Sequence, residues 1–205
     1  FMDGETVSNE WTIESKLGEG GYGAVYKVFN KDKKYFAMKV EDDKAPVRIL
    51  KMDVIVLCDV SRKKAKHFCR IIDTGNVRRV NYLVMTLVGQ SLADLRKMTE
   101  SKKFSTGCVL LAGIQCIEAI EELHSCSIVV REKRNSVRDE ETNEPKRIYM
   151  IDFGMCRRFL DKNSVRKPRW ACGFRGTLQY ESVSCHIQRE QCRKDDMKSW
   201  MYSQV

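Results

Sequence analysis

Four features of the sequence could do chemistry together: spaced glycines, a strand lysine, an acid beside a glycine, and a short charged run. Gly18, Gly20 and Gly23 in LGEGGYGAVYKV, followed by Val25, fit the spacing G-x-G-x-x-G-x-V. Lys39 comes sixteen residues after the last of them, in YFAMKVE. Asp152 closes the apolar run IYMI and is followed by the flexible Gly154. A glycine hairpin, a cation and a carboxylate suit phosphate oxygens and a Mg²⁺ ion that bridges them. The fourth feature is VVREKRNSV, Val129 to Val137, which carries Arg131, Glu132, Arg134 and Asn135. Its charges follow the pattern of a catalytic loop, yet it lacks groups that such a loop uses.

The elements that must position these groups can be read from periodicity. Apolar residues alternate on both sides of the glycines, Trp11, Ile13 and Leu17 before and Val25 and Val28 after, which predicts strand, tight loop, strand. A dinucleotide-binding turn needs a helix directly after its glycines, whereas β-branched and aromatic residues follow here. A hairpin lid over phosphates therefore fits better, with an ordinary glycine-rich hairpin as the plainer alternative. In YFAMKVE, Phe36, Met38 and Val40 share one strand face and Ala37, Lys39 and Glu41 the other. Lys39 on that small-residue face can reach the α- and β-phosphates of a nucleotide under the hairpin, or it can simply face solvent. RILKMDVIVLCDV predicts a helix with an apolar stripe at Ile49, Val56 and Val60, interrupted by Asp53. A buried acid needs a partner, and Lys39 is the natural one.

Further along, HFCRIIDTG and VNYLVMTLVG read as strands, and SLADLRKM as a helix capped by Ser91. GCVLLAGIQCIEAIEELHS reads as an amphipathic helix with Leu110, Ile114, Ile117, Ile120 and Leu123 on its apolar side.

Composition bounds the possibilities. The chain has 205 residues, 42% of them hydrophobic and only three prolines, enough for a real core. No apolar run approaches the ~20 residues that span a bilayer. The opening FMDGETVSNE is polar and acidic, unlike a signal peptide, and a chain starting at Phe1 ahead of Met2 reads as a fragment. Nine cysteines without a C-x-x-C pair predict free thiols in a reducing compartment, cytoplasmic with the nucleus open. The three histidines, His67, His124 and His186, share no ligand spacing and read as structural. A formal charge of +9 favours an anionic partner. A nucleic-acid partner is disfavoured because no aromatic-interleaved basic platform is present.

Taken in order, LGEGGYGAVYKV, YFAMKVE, LKMDVIVL, HFCRIID, NYLVMTLVGQSLADLRK, IYMIDFGMCRRF, GFRGTLQY and CRKDDMKSW make the chain resemble a eukaryotic protein kinase. The resemblance is closest to the casein kinase I superfamily, on its tau-tubulin kinase-like side. It implies an α+β, bilobal protein-kinase-like fold with a β-rich N-lobe and an incomplete helical C-lobe. The expected division is an N-terminal extension at 1–10, the nucleotide-binding N-lobe at 11–88 and a partial C-lobe at 89–205. The resemblance also implies ATP and Mg²⁺ as cofactors and serine or threonine phosphorylation of proteins. Leu17, Gly18, Gly20, Gly23, Val25 and Ala37 would surround the nucleotide, Lys39 would anchor its phosphates, and Asp53 would stand in for the helix-C glutamate. Met85 would be the gatekeeper, Thr86 and Val88 would offer hinge backbone to adenine, and Asp152 would hold metal. Asp196 would brace the catalytic loop.

The departures concern chemistry. In the family, Val129 to Val137 would carry His at Val130, Asp at Glu132, Lys at Arg134 and Asn at Val137; Asn135 comes only three residues after the acid. Glu132 can accept a hydroxyl proton, but its extra methylene displaces the carboxylate by ~1.5 Å. Misplacement of about 1 Å can cost on the order of 100-fold in rate. Arg134 can neutralise phosphate, though as a planar fork rather than a point charge. Impaired transfer, or a pseudokinase that binds nucleotide and partners without catalysis, are the two expectations. Val205 falls where the family's long helix F begins, so unburied apolar helix faces are expected. Between Met155 and Leu178 stand seven basic residues, Arg157, Arg158, Lys162, Arg166, Lys167, Arg169 and Arg175, against Asp161 alone. They make either a solvated basic loop or a platform for acidic or phosphorylated protein partners. Gln179 replaces the family's phosphate-binding arginine.

Overall fold

In the computed structural model, which describes residues 1–130, 147–161, 164–174 and 178–203 and the backbone of 134–137, a curled antiparallel sheet forms first along the chain. Its strands are β1 (Thr6–Val7), β2 (Trp11–Gly20), β3 (Gly23–Phe29), β4 (Tyr35–Asp42), β5 (Ile71–Val77) and β6 (Val80–Thr86). They lie in the order β1-β2-β3-β4-β6-β5, with helix α1 (Ile49–Arg62) between β4 and β5. Strand alternation sorts the side chains as expected. Trp11, Ile13, Tyr26, Val28, Phe36, Met38, Val40, Tyr82 and Val84 build one core on one face. Ala37, Lys39 and Glu41 point to the other. Residues 1–10 join this sheet: β1 pairs with β2, Val7 is fully buried, and the Phe1 ring meets Tyr26 edge-on at 6.1 Å.

The rest is helical with short strands: α2 (Leu92–Met98), α3 (Thr106–Ser125), β7 (Ile128–Val129), β8 (Arg134–Val137), β9 (Ile148–Ile151), β10 (Arg157–Arg158), β11 (Leu160–Asp161), β12 (Ser164–Val165), α4 (Val183–His186) and α5 (Arg193–Tyr202). The Ser91 hydroxyl accepts from Asp94 N–H, the cap anticipated for α2 and the kind of contact worth about 1 kcal/mol. A second core runs through Leu50, Val56, Leu57 and Val60 of α1, Leu83 of β6, Ala119, Ile120 and Leu123 of α3, and Met150 and Phe153. Each fully buried Leu here contributes about 2 kcal/mol of apolar transfer. Because this cluster joins sheet, α1 and α3, it fixes the strand end at Asp152 against α1.

Two expectations are corrected. The side of α3 that turns inward carries Gly113, Cys116, Ala119, Ile120 and Leu123, while Leu110 and Ile114 are more than half exposed and Ile117 is half-buried. Trp200 of α5 donates its indole N–H to the Gly113 carbonyl at 2.9 Å, and such a close crossing selects the small-residue side of the helix. Second, Arg134 and Asn135 do not lie in a loop. Their backbone is in β8, opposite Ile151 and Met150 of β9, whose buried peptide groups need a hydrogen-bonding neighbour.

Candidate functional site

The site is assembled at Lys39. Its ammonium lies 2.7 Å from Asp53 Oδ2 and 2.9 Å from Asp152 Oδ1, joining β4, α1 and the residue after β9. Asp53 uses both oxygens, because its Oδ1 accepts the Phe153 N–H at 2.7 Å. The acid that interrupts the α1 stripe is therefore buried with the partner expected from the sequence and with a second one besides. Burial by itself would lower the pKa of the Lys39 ammonium, but the carboxylates of Asp53 and Asp152 outweigh it and raise it above the ordinary value. Burial pushes the Asp53 carboxyl up, against the opposing pull of Lys39 and the Phe153 N–H. The Lys39 direction decides the chemistry: the site keeps a cation that two carboxylates aim. Asp152 itself adopts φ 69°, in the left-handed region that non-glycine residues rarely occupy.

The glycine hairpin lies beside this group in the sheet. Gly20 pairs with Gly23 across a two-residue turn, and Val25 lies opposite both Gly18 and Lys39. A Cβ on Gly23, at φ 150°, would lie 2.0 Å from the Val40 carbonyl oxygen, so only glycine lets the hairpin close on β4. Gly18 and Gly20 have open space where a side chain would be. Leu17 is half exposed on the same strand. Ala37 is buried and lies opposite Met85, whose side chain, like that of Val88, packs against the second core. Thr86 N–H is already given to the Arg70 carbonyl at 3.0 Å, so it is not free for a ligand. The arrangement offers an ammonium, a carboxylate carried on a left-handed backbone and a glycine hairpin beside them. That donor set fits a nucleotide with its divalent metal: Lys39 for phosphate oxygens and Asp152 for the metal.

The chemical half is only partly in view. Glu132 lies outside the described residues, as do the side chains of Arg134 and Asn135. Just before it, Val130 N–H donates to Asp196 Oδ2 at 3.1 Å, and His124 Nε2 lies 2.8 Å from the same oxygen. The fully buried Asp196 thus braces the chain entering that segment. His67 bonds the Ile148 carbonyl and the His186 ring meets Phe174 at 5.5 Å in a tilted contact, so all three histidines have structural contacts.

In the basic segment, Arg157 and Arg169 both reach Glu190, and Arg158 reaches Asp59. Arg166 lies 3.9 Å from Asp161. Lys162 and Arg175 fall outside the described residues. Gln179 is exposed. Much of the positive charge is thus countered within the chain. Glu190 and Glu41 were missed in the sequence. Glu190 has no periodic signature, whereas Glu41 shares a strand face with Lys39, a signal that could have found it.

The protein kinase domain profile matches residues 11–199. The chain belongs to the protein kinase domain family. It is 34% identical to a probable serine/threonine-protein kinase of Dictyostelium discoideum, over 98% of this chain and 41% of that protein. It is 32% identical to the serine/threonine-protein kinase spe-6 of Caenorhabditis elegans, over 98% of this chain and 54% of that one. It is 30% identical to a probable casein kinase I homolog of Encephalitozoon cuniculi, over 98% of this chain and 62% of the relative. The chain therefore spans about half the length of the curated relatives it matches. As a protein kinase domain it has the α+β architecture of that fold, with the sheet-rich lobe carrying Lys39 and the helical part carrying Asp152 and Asp196.

Proposed function

We propose that this kinase domain binds Mg²⁺-ATP and is impaired in passing phosphate to serine and threonine hydroxyls, and that it sits on the tau-tubulin kinase-like side of the casein kinase I group. The observation that carries the nucleotide reading is the Lys39 ammonium held 2.7 Å from Asp53 and 2.9 Å from Asp152. Lys39 would orient phosphate oxygens, Asp152 would hold the metal, and the Gly18–Gly20–Gly23 hairpin would exclude water above them. Bound Mg²⁺-ATP supplies the transferable phosphoryl group and the charge neutralisation. By the family resemblance, Glu132 would take the hydroxyl proton.

A pseudokinase reading rests on Val130 and Val137, which stand where the family resemblance implies a histidine and a metal-ligating asparagine. On either reading the partners are acidic or phosphorylated proteins, met by the basic segment where Lys167 and Arg166 are exposed. Free thiols at all nine cysteines suit the cytoplasm or nucleus.

The test is thermal unfolding with Mg²⁺-ATP. Ligand at 100 times its dissociation constant adds about 2.7 kcal/mol, and Lys39→Ala should remove most of the shift. An unchanged shift in that variant sinks the role of Lys39. Radiolabelled phosphate transfer to an acidic peptide, with Asp152→Asn as the blank, tests the impairment. Transfer at blank level is expected for the parent, with a measurable gain in Glu132→Asp. A parent rate of about 1–100 s⁻¹, ordinary for kinases, overturns the impairment.

A further inference from the structure

We propose that Glu41 is a positioning residue, whose buried carboxylate holds the first turn of α1 and thereby sets Asp53 within reach of Lys39 and Phe153; its effect on nucleotide rests on the function proposed above.

Helix α1 has no cap of its own. Arg48 stands at its N-cap without a side-chain hydrogen bond, and no acidic residue lies in its first turn. The cap comes from the sheet: Glu41 Oε1 accepts Ile49 N–H at 2.7 Å and Leu50 N–H at 3.1 Å. Glu41 is only 3% exposed, a costly place for a carboxylate without such donors. A carboxylate there also complements the positive end of the helix dipole.

The spacing explains what the cap does. Lys39 and Glu41 are two strand residues apart, a rise of about 6.7 Å. Ile49 and Asp53 are four helix residues apart, a rise of about 6 Å. The two spans nearly match, so Glu41–Ile49 and Lys39–Asp53 are successive rungs between one strand and one antiparallel helix. Without the upper rung, α1 can slide or tilt, and aspartate, one carbon shorter than glutamate, has little slack to follow. The same turn also meets the chain after Asp152. A Cβ on Gly154 would lie 1.7 Å from Ile49 Cγ2, so the position of Ile49 is passed directly to Asp152-Phe153-Gly154. Val40, between the two rungs, carries the carbonyl against which Gly23 closes. Residues 39–41 thus hold lysine, lid and helix together.

The experiment compares the parent with Glu41→Ala, Glu41→Asp and Glu41→Gln, using amide exchange at Phe153 without nucleotide and ATP affinity with Mg²⁺. Glu41→Ala should speed Phe153 exchange and weaken nucleotide binding roughly tenfold, the size of a lost helix cap. Glu41→Gln retains an acceptor oxygen and should stay within about twofold of the parent. Should the alanine variant not fold, Glu41→Asp, which withdraws the carboxylate by ~1.5 Å, carries the same expectation at Phe153. In an Asp53→Asn background, Glu41→Ala should cause no further loss of affinity. Unchanged Phe153 exchange in a folded Glu41→Ala or Glu41→Asp protein, or full additivity with Asp53→Asn, overturns the proposal. If the parent binds no nucleotide while Phe153 exchange responds, the nucleotide reading fails and the positioning role stands.

Discussion

The molecule contains two charge hubs of opposite sign. At one, the Lys39 ammonium lies between the carboxylates of Asp53 and Asp152; at the other, the Glu190 carboxylate collects Arg157 and Arg169. Cys172 adds its thiol to Glu190 at 3.3 Å. The Lys39 hub joins regular elements that share a core, and the Asp53 side chain is 4% exposed. The Glu190 hub joins a two-residue strand and irregular segments, and the Arg169 side chain is 42% exposed. Depth changes what the same kind of pairing does. At the Lys39 hub the Asp53 carboxylate has been stripped of water, so geometry is exacting there and losing its partner is costly. In the outer hub water can replace a lost partner, and the pairs mainly hold the basic segment against the residues before α5. The remaining charge differs as well. The first hub has a carboxylate to spare, which suits a metal ion, and the second a guanidinium to spare, which suits an anion.

Removing each hub should separate them most clearly. Lys39→Ala in the ligand-free protein strands the buried Asp53 and should cost about 3 kcal/mol near neutral pH by denaturant unfolding. A loss below about 1 kcal/mol would mean that Asp53 is neutralised by protonation or satisfied by the Phe153 N–H alone. Glu190→Ala should cost less, about 2 kcal/mol, because its partners are nearer water. If it costs more than Lys39→Ala, the contrast between the hubs is inverted.

The smallest effect concerns pH and the buried Asp195. Burial alone would raise the pKa of Asp195, but the Cys192 N–H and thiol at its Oδ2 hold it below the ordinary 3.8. Its contribution to stability is present above about pH 4 and is lost as the pH falls through its folded-state value. The stability advantage of the parent over Asp195→Asn should therefore shrink on acidification. An advantage that stays constant from neutral pH to about pH 3 would contradict the downward direction.

The Lys39–Asp53 pair was legible because an acid in an apolar stripe must find a cation, and the strand reading supplied only one on the facing side. The glycine hairpin, the Ser91 cap and the strand ending at Asp152 were legible for similar reasons: each is a local rule acting over a few residues. The face of α3 was not. Periodicity marked Leu110 and Ile114 as apolar, but the close approach of Trp200 at Gly113 turned the smaller residues inward. The strand at Arg134 was hidden too, since it exists because β9 needs a pairing partner.

What the sequence determined by itself, then, was the order of the longer elements from β2 to α3 with β9, the glycine hairpin and the candidate nucleotide residues, all carried by residue type at short spacing. Only the tertiary structure decided that Glu41 caps α1, that Asp53 also holds the Phe153 N–H, and that Glu190 ties down the basic segment. Those contacts join residues eight to one hundred positions apart. At such separations neither helical nor strand period links the partners, and they meet only because the shared core brings their elements together.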